Sequence, residues 1–138
     1  MRLLRSHERM KGTVMPQSWV YEHTIATLDL TIEQLGTQLV VCVSGGSTPH
    51  IGSVTLASPR PSLAGTGMSA TSSVLNLIGH KDEAVGRPLA EMLASRLDTT
   101  VCCICGIHID DATPEDIASC KTLGCDIASF LIDELATS

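Results

Sequence analysis

Three short stretches of this 138-residue chain put glycine beside histidine, the side chain whose charge changes nearest neutral pH. The first is Ser44-Gly45-Gly46-Ser47-Thr48-Pro49-His50-Ile51-Gly52, the second Gly79-His80-Lys81-Asp82, and the third Gly106-Ile107-His108-Ile109-Asp110-Asp111. In each, an apolar, strand-like run ends at a corner. The second stretch lies where a strand hands over to a helix, so free backbone N–H groups and the helix dipole favour an anion there, with His80, Lys81 and Arg87 adding charge. The Ser44–Thr48 turn offers further N–H and hydroxyl donors of the kind that cradle phosphate. Its spacing is neither a Walker A loop nor a dinucleotide fingerprint, and a tight hairpin with no ligand fits the same residues as well. Strand alternation puts His108 and Asp110 on one face, two residues apart. Such a pair can hold a metal, or the carboxylate can orient the imidazole for acid–base work. It can equally be a satisfied polar residue before a turn at Asp110-Asp111. No G-x-S-x-G elbow is present, which leaves hydrolase chemistry little support.

The elements that must hold these corners follow from hydrophobic period. Residues 1–17 mix charges with Gly and Pro and read as a flexible arm, leaving 18–138 as a single domain. Imperfect alternation from Trp19 to Ile32 predicts one long edge strand, and a turn at Gly36 leads into a buried strand over Gln38–Ser44. A third strand carries Ile51, Val54 and Leu56. The segment 58–67, with two prolines and two glycines, reads as an irregular surface loop. A fourth strand covers residues 69–78. Val85, Leu89, Met92, Leu93 and Leu97 then recur at helical spacing, with Pro88 either delaying the helix to about Arg87 or kinking a helix that begins near Asp82. Strand character returns over Thr100–Ile109. Thr113 is the expected N-cap of a last helix, with Pro114 at its first position and an apolar stripe from Ile117 to Leu135. The expected order is β-β-β-β-α-β-α, an α+β fold with a mainly antiparallel sheet and helices on one face.

Composition narrows the partners. Hydrophobic residues make up 43% of the chain and charged ones 17%, so it buries a core of its own. A net charge of −6, with no basic cluster beyond the N-terminal tail, argues against a nucleic-acid surface. No apolar run is long enough to span a membrane and the N-terminus does not read as a signal peptide. None of the six cysteines has the paired spacing of a structural zinc site, and Cys102, Cys103 and Cys105 lie in an apolar strand run. A cytoplasmic chain with reduced thiols is expected.

Taken together, Ser44-Gly45-Gly46 with Pro49-His50-Ile51-Gly52, Gly79-His80-Lys81-Asp82 followed by Arg87-Pro88-Leu89-Ala90-Glu91, and Gly106-Ile107-His108-Ile109-Asp110 with Ala112-Thr113 resemble the LpdD-like prenylated-flavin chaperone family. The likeness covers roughly residues 20 to 135 and departs from the pattern at Ser53, Ile78 and Asp111. The resemblance implies a small homodimeric α+β protein similar to proteasome-assembly chaperones. It implies binding of prenylated FMN, or FMN, and its delivery to or maturation for a UbiD-type decarboxylase of the hydroxyarylic acid class, with the flavin prenyltransferase as a further partner. Ser44, Gly45, Gly46, His50, Ile51, Gly52, His80, Lys81, Arg87, His108 and Asp110 are then the cofactor-binding set. His50, His80, His108 and Asp110 could alternatively ligate a divalent metal, which would make the chain a metal- or histidine-dependent enzyme or decarboxylase subunit. A third reading is a non-catalytic assembly module whose corners only make hairpins and caps. The flavin reading carries a geometric expectation: His50, His80 and His108 meet at one end of the sheet.

Overall fold

The computed structural model describes residues 16–77 and 82–137. Five strands come first: β1 (Gln17–Glu22), β2 (Thr27–Leu35), β3 (Gln38–Gly46), β4 (Ser53–Pro61) and β5 (Met68–Asn76). Helix α1 (Glu83–Leu97), strand β6 (Val101–His108), and helices α2 (Pro114–Ala118) and α3 (Cys120–Thr137) follow. The six strands form one sheet in the order β1-β2-β3-β6-β4-β5. All neighbours are antiparallel except β3 and β6, which run parallel, so the sheet is mixed.

Four sequence expectations are corrected. The single edge strand over Trp19–Ile32 is two strands, because the chain turns at His23–Ala26, where the His23 N–H donates to the Ala26 carbonyl at 3.1 Å. β3 and β4 are not a hairpin pair, since β6 lies between them. The segment 58–67 is less irregular than its prolines suggest: β4 continues through Pro59 and Pro61, paired with Ala70 and Met68 of β5. On the other side of β4 the pairing with β6 ends at Ala57, so a missing proline N–H has an open edge to face. The last helix is interrupted at Ser119 into α2 and α3. The order is therefore β-β-β-β-β-α-β-α-α. The arm over residues 1–15 lies outside the described residues.

The core sits between one face of the sheet and helices α1 and α3. Leu28, Leu30 and Ile32 of β2, Leu39, Val41 and Val43 of β3, and Val101, Cys103 and Cys105 of β6 meet Leu89, Leu93, Leu123, Ile127 and Leu131 there. Each such side chain withdrawn from water contributes roughly 1.5–3 kcal/mol. α1 begins at Glu83 despite Pro88, which lies inside the helix. Trp19, Tyr21 and Phe130, the only aromatic residues, gather where β1 meets α3: Trp19 stands edge-on to Phe130 at 6.2 Å and Tyr21 is 5.2 Å from it. The opposite face alternates to Val40 and Cys42, Cys102 and Ile104, Val54 and Leu56, and Leu75. It is not buried among the described residues: Leu56 is 52% and Leu75 77% exposed. No described helix is long and apolar enough to cross a membrane.

Candidate functional site

The parallel pairing of β3 with β6 decides where the histidines go. Both strands run out at the same edge of the sheet, with Gly46 opposite His108. β4, antiparallel to β6, begins at that edge with Ser53, and β5 ends there with Asn76. The first turn of α1 reaches the same edge, because the Asp82 carboxylate accepts the Ile107 N–H at 2.7 Å. Ligand sites in sheets with parallel strands favour the carboxyl ends of those strands.

Two glycines of the first corner are there for close approach. Gly46 has φ +76, and a Cβ on it would fall on the His108 carbonyl, which already accepts the Ser47 N–H at 3.0 Å. A Cβ on Gly52 would fall inside the Asp82 carboxylate. Ser44, Gly45 and Gly46 are paired strand residues, not a free loop, and the Gly52 N–H donates to Cys105 O at 2.9 Å. With Ser47 and Gly52 donating inside the protein, a P-loop-like cradle at this corner has no support.

His50 is fixed at both ends of its ring. Its Nδ1–H donates to the Thr48 carbonyl at 2.9 Å, and its Nε2 lies 3.3 Å from Asp82 Oδ2. A carbonyl only accepts, so Nδ1 carries a hydrogen. A carboxylate also only accepts, so the Nε2 contact needs a second hydrogen, on the ring or on the carboxyl. Asp82 is only 6% exposed and makes no cap to its own helix; it serves His50 and Ile107 instead. The His108 ring stands 6.4 Å from that of His50, near perpendicular at 72°. Its Nε2 is 3.2 Å from Asp110 Oδ1, with both side chains half or more exposed, a contact worth at most about 1 kcal/mol.

His50, His108, Thr48, Ile51 and Leu77 line an open depression of about 320 Å3. Its floor is largely aliphatic. The structure thus brings His50 and His108 together at one end of the sheet, with Ile51 beside them. His80 and Lys81 lie outside the described residues, so the expected meeting of three histidines is visible for two. Arg87 is elsewhere: it pairs with Glu83 and Glu91 at 3.7 Å, donates to Ser72 Oγ at 3.1 Å, and lines a groove with Ile117 and Lys121. Among the described residues no three His, Cys, Asp or Glu side chains come together as metal ligands, and His80, one of the expected ligands, lies outside them.

The residue that sequence reasoning left out of its set is Asp82. The signal was in the sequence, since an acidic residue followed the Gly79-His80-Lys81 corner, but its partner His50 is 32 positions away and only the fold shows the pairing. The nearby thiols are quiet. Burial pushes Cys103 and Cys105 well above the ordinary thiol range, and Asp82 adds to the effect at Cys105.

Comparison with known proteins agrees with this architecture. A chain from the crystal structure of a chaperone complex for yeast 20S proteasome assembly superposes with a TM-score of 0.57 at 14% identity, covering 88% of this chain and 97% of that one. That likeness shows the fold alone. The search of curated proteins finds no match. The model of the prenylated flavin chaperone LpdD-like domain matches residues 22–136, nearly the whole of the sheet and its helices, and the chain belongs to that family.

Proposed function

We propose that the depression between His50 and His108 receives a prenylated flavin mononucleotide, and that the chain holds this cofactor for a UbiD-type decarboxylase without turning over a substrate itself. The observation that carries the reading is the depression at the carboxyl ends of β3 and β6, where two imidazoles stand beside two exposed aliphatic side chains, Ile51 and Leu77. Imidazole rings and aliphatic walls suit a flat, largely apolar ring system. At about 320 Å3 the space lies near the lower end of small-molecule sites, which run from about 300 Å3 upward, so a flavin would be covered on one side and left open on the other. A carrier that must release its cargo benefits from that partial cover.

When bound, the flavin supplies all the redox and adduct chemistry. The chain supplies position: His50 is held by Thr48 and Asp82 and His108 stands by Asp110, while His80 and Lys81 are the proposed phosphate contacts. Both ring nitrogens of His50 face protein groups, which favours a binding wall over an acid–base catalyst. The flavin prenyltransferase is the proposed source of the cofactor, and the cytoplasm the proposed site of transfer.

The test mixes purified protein with reduced prenylated FMN and passes it through gel filtration. Flavin absorbance should travel with the wild type and be lost in Leu77→Asp, whose substitution lies on the exposed wall. The loaded protein should activate an apo-decarboxylase faster than free cofactor does. Absence of chromophore from the wild-type fraction refutes the reading.

A further inference from the structure

We infer that the outer edge of β5 is a docking site for an extended segment of a partner protein, which joins the sheet as a further strand with basic side chains toward α1. The docking edge stands without the flavin reading; only the partner's identity as the receiving decarboxylase rests on it. Two bonds beyond the ends of the β4–β5 pair fix which backbone groups face outward. The Ser62 N–H donates to the Gly67 carbonyl at 3.0 Å, and the Leu77 N–H to the Gly52 carbonyl at 2.9 Å. Bonded and non-bonded residue pairs alternate in an antiparallel ladder, so this register turns the backbone of Ser69, Thr71, Ser73 and Leu75 toward β4. Met68, Ala70, Ser72, Val74 and Asn76 then direct their N–H and carbonyl groups away from it. Among the described residues no strand lies beyond β5, and none of its own residues is buried.

An open edge of this kind recruits strands, and proteins ordinarily blunt it with charge, proline or a bulge. The chain does so elsewhere. Where β4 runs past the end of its pairing with β6 at Ala57, Pro59 and Pro61 remove N–H groups that would face a newcomer. Over Met68–Asn76, by contrast, β5 holds no charged residue, proline or glycine in nine residues. An edge closed on one side of the hairpin and left open on the other suits strand addition, in which main-chain bonds supply the affinity.

The side chains around the edge select what the segment carries. On the helix side Glu83 Oε1 accepts the Asn76 amide at 3.0 Å, and Glu91 Oε1 accepts the Ser72 hydroxyl at 2.6 Å. Arg87 stands 3.7 Å from each of these carboxylates, so one guanidinium faces two acids and the rim keeps a negative charge. On the open face Arg60 donates to Thr71 Oγ1 at 2.8 Å, and Leu75 is 77% exposed. A strand of period two meets both sides, with lysine or arginine toward α1 and apolar side chains toward Leu75. A second copy paired β5 to β5 about a two-fold axis would bring the two acidic rims together, which is unfavourable. The edge also leads to the depression, because Leu77, just past the end of β5, lines it. In the flavin reading a strand added to β5 therefore ends beside the cofactor that the partner receives.

The experiment is amide exchange of the whole 138-residue chain, read residue by residue by NMR. The probe is a blocked synthetic peptide of alternating valine and lysine, about ten residues long to match the strand. In the free chain the amides of Ala70, Ser72, Val74 and Asn76 should exchange about ten-fold faster than those of Thr71, Ser73 and Leu75, at every protein concentration. The peptide should slow the first set several-fold and leave the second unchanged, and the same peptide with glutamate for lysine should do neither. Ala70→Pro removes an outward N–H without touching the β4 ladder, so circular dichroism should be retained while the peptide no longer protects Ser72 and Val74. Glu83→Gln/Glu91→Gln keeps the acceptors and removes the charge, and should weaken the lysine peptide several-fold. Flavin should still travel with Ala70→Pro in gel filtration, which separates failure of the edge from failure of the flavin reading. Protection in the free chain that grows with concentration assigns the edge to a second copy, and protection at every concentration assigns it to the chain itself. Either result overturns the proposal, as does a lysine peptide that protects nothing or no more than the glutamate one.

Discussion

The contact between Gly52 and Asp82 can be measured as an energy. Gly52 is buried and has no unusual backbone angle, so by itself alanine would be tolerated and would stabilise by about 0.4–1 kcal/mol through the unfolded chain. What forbids it is the Asp82 carboxylate, which occupies the space a Cβ would need. Gly52→Ala must therefore displace the carboxylate from the Ile107 N–H at 2.7 Å and from His50 Nε2 at 3.3 Å. A hydrogen bond to a charged group is worth about 1.5–3 kcal/mol, and leaving the part-buried Ile107 N–H unpaired adds to the loss. The expected loss is about 2–3 kcal/mol after the small entropic gain.

Asp82→Ala removes the same two contacts and should cost a comparable amount. In the double variant the obstacle is gone, apart from the Asp82 Cβ at 3.1 Å, so Gly52→Ala should cost less than about 1 kcal/mol there. Urea unfolding of the four proteins, followed by circular dichroism, closes the cycle, and a coupling of about 2 kcal/mol is the expected result. Additive losses would mean that the carboxylate does not sit under Gly52. Asp82→Asn sharpens the chemistry. Its amide can still accept from Ile107 through oxygen while donating to His50 Nε2 through nitrogen. Nitrogen NMR should then show His50 as a neutral ring protonated at Nδ1; protonation at Nε2 would refute the assigned bond to Thr48.

Three further outcomes follow from other contacts. Because burial raises Cys103 and Cys105 above the ordinary value of 9.0, the unfolded chain loses these protons first, and stability should fall above about pH 9 by up to about 1.4 kcal/mol per pH unit for each thiol. Denaturant titrations at about pH 8 and pH 10 check this, and a Cys105→Ala variant should flatten the slope. Gly124→Ala should destabilise by about 1–3 kcal/mol although alanine favours helix, since its Cβ would press on the Val85 carbonyl of α1; a thermal midpoint at or above wild type refutes that packing. Thr113→Ala should cost about 1 kcal/mol by thermal melt, because Thr113 Oγ1 accepts the Asp116 N–H at 3.1 Å; Asp116→Ala added to it should cost a further amount of similar size, because Asp116 Oδ2 separately accepts the Thr113 backbone N–H at 2.9 Å.

What could be read from the chain in advance divides along the range of the forces involved. Local signals were legible: the Thr113–Asp116 capping box, the Gly36 turn between β2 and β3, and the α1 stripe of Val85, Leu89 and Leu93 all depend on neighbours within a few residues. Strand partnership was not. Nothing near Ser44 says that its strand pairs in parallel with one 62 positions later, and that pairing turns the Gly-rich corner from a candidate loop into a paired strand end. The prolines at 59 and 61 misled for the same reason. Proline breaks a strand only where its N–H is wanted, and the open edge beyond Ala57 is a tertiary fact. The histidine corners were recognisable as corners, but their chemistry is set by what stands opposite them. His50 was expected beside the cofactor or, alternatively, on a metal; the fold turns both its nitrogens to Thr48 and Asp82, which in the proposed flavin reading leaves the ring itself as the wall. A binding wall made of ring faces and aliphatic side chains needs its polar atoms satisfied elsewhere, because an unpaired nitrogen in a partly buried ring would recruit water or a proton in place of cargo. Asp82 is the residue that meets this need. In the proposed flavin reading it therefore belongs to the site, although it does not line the depression.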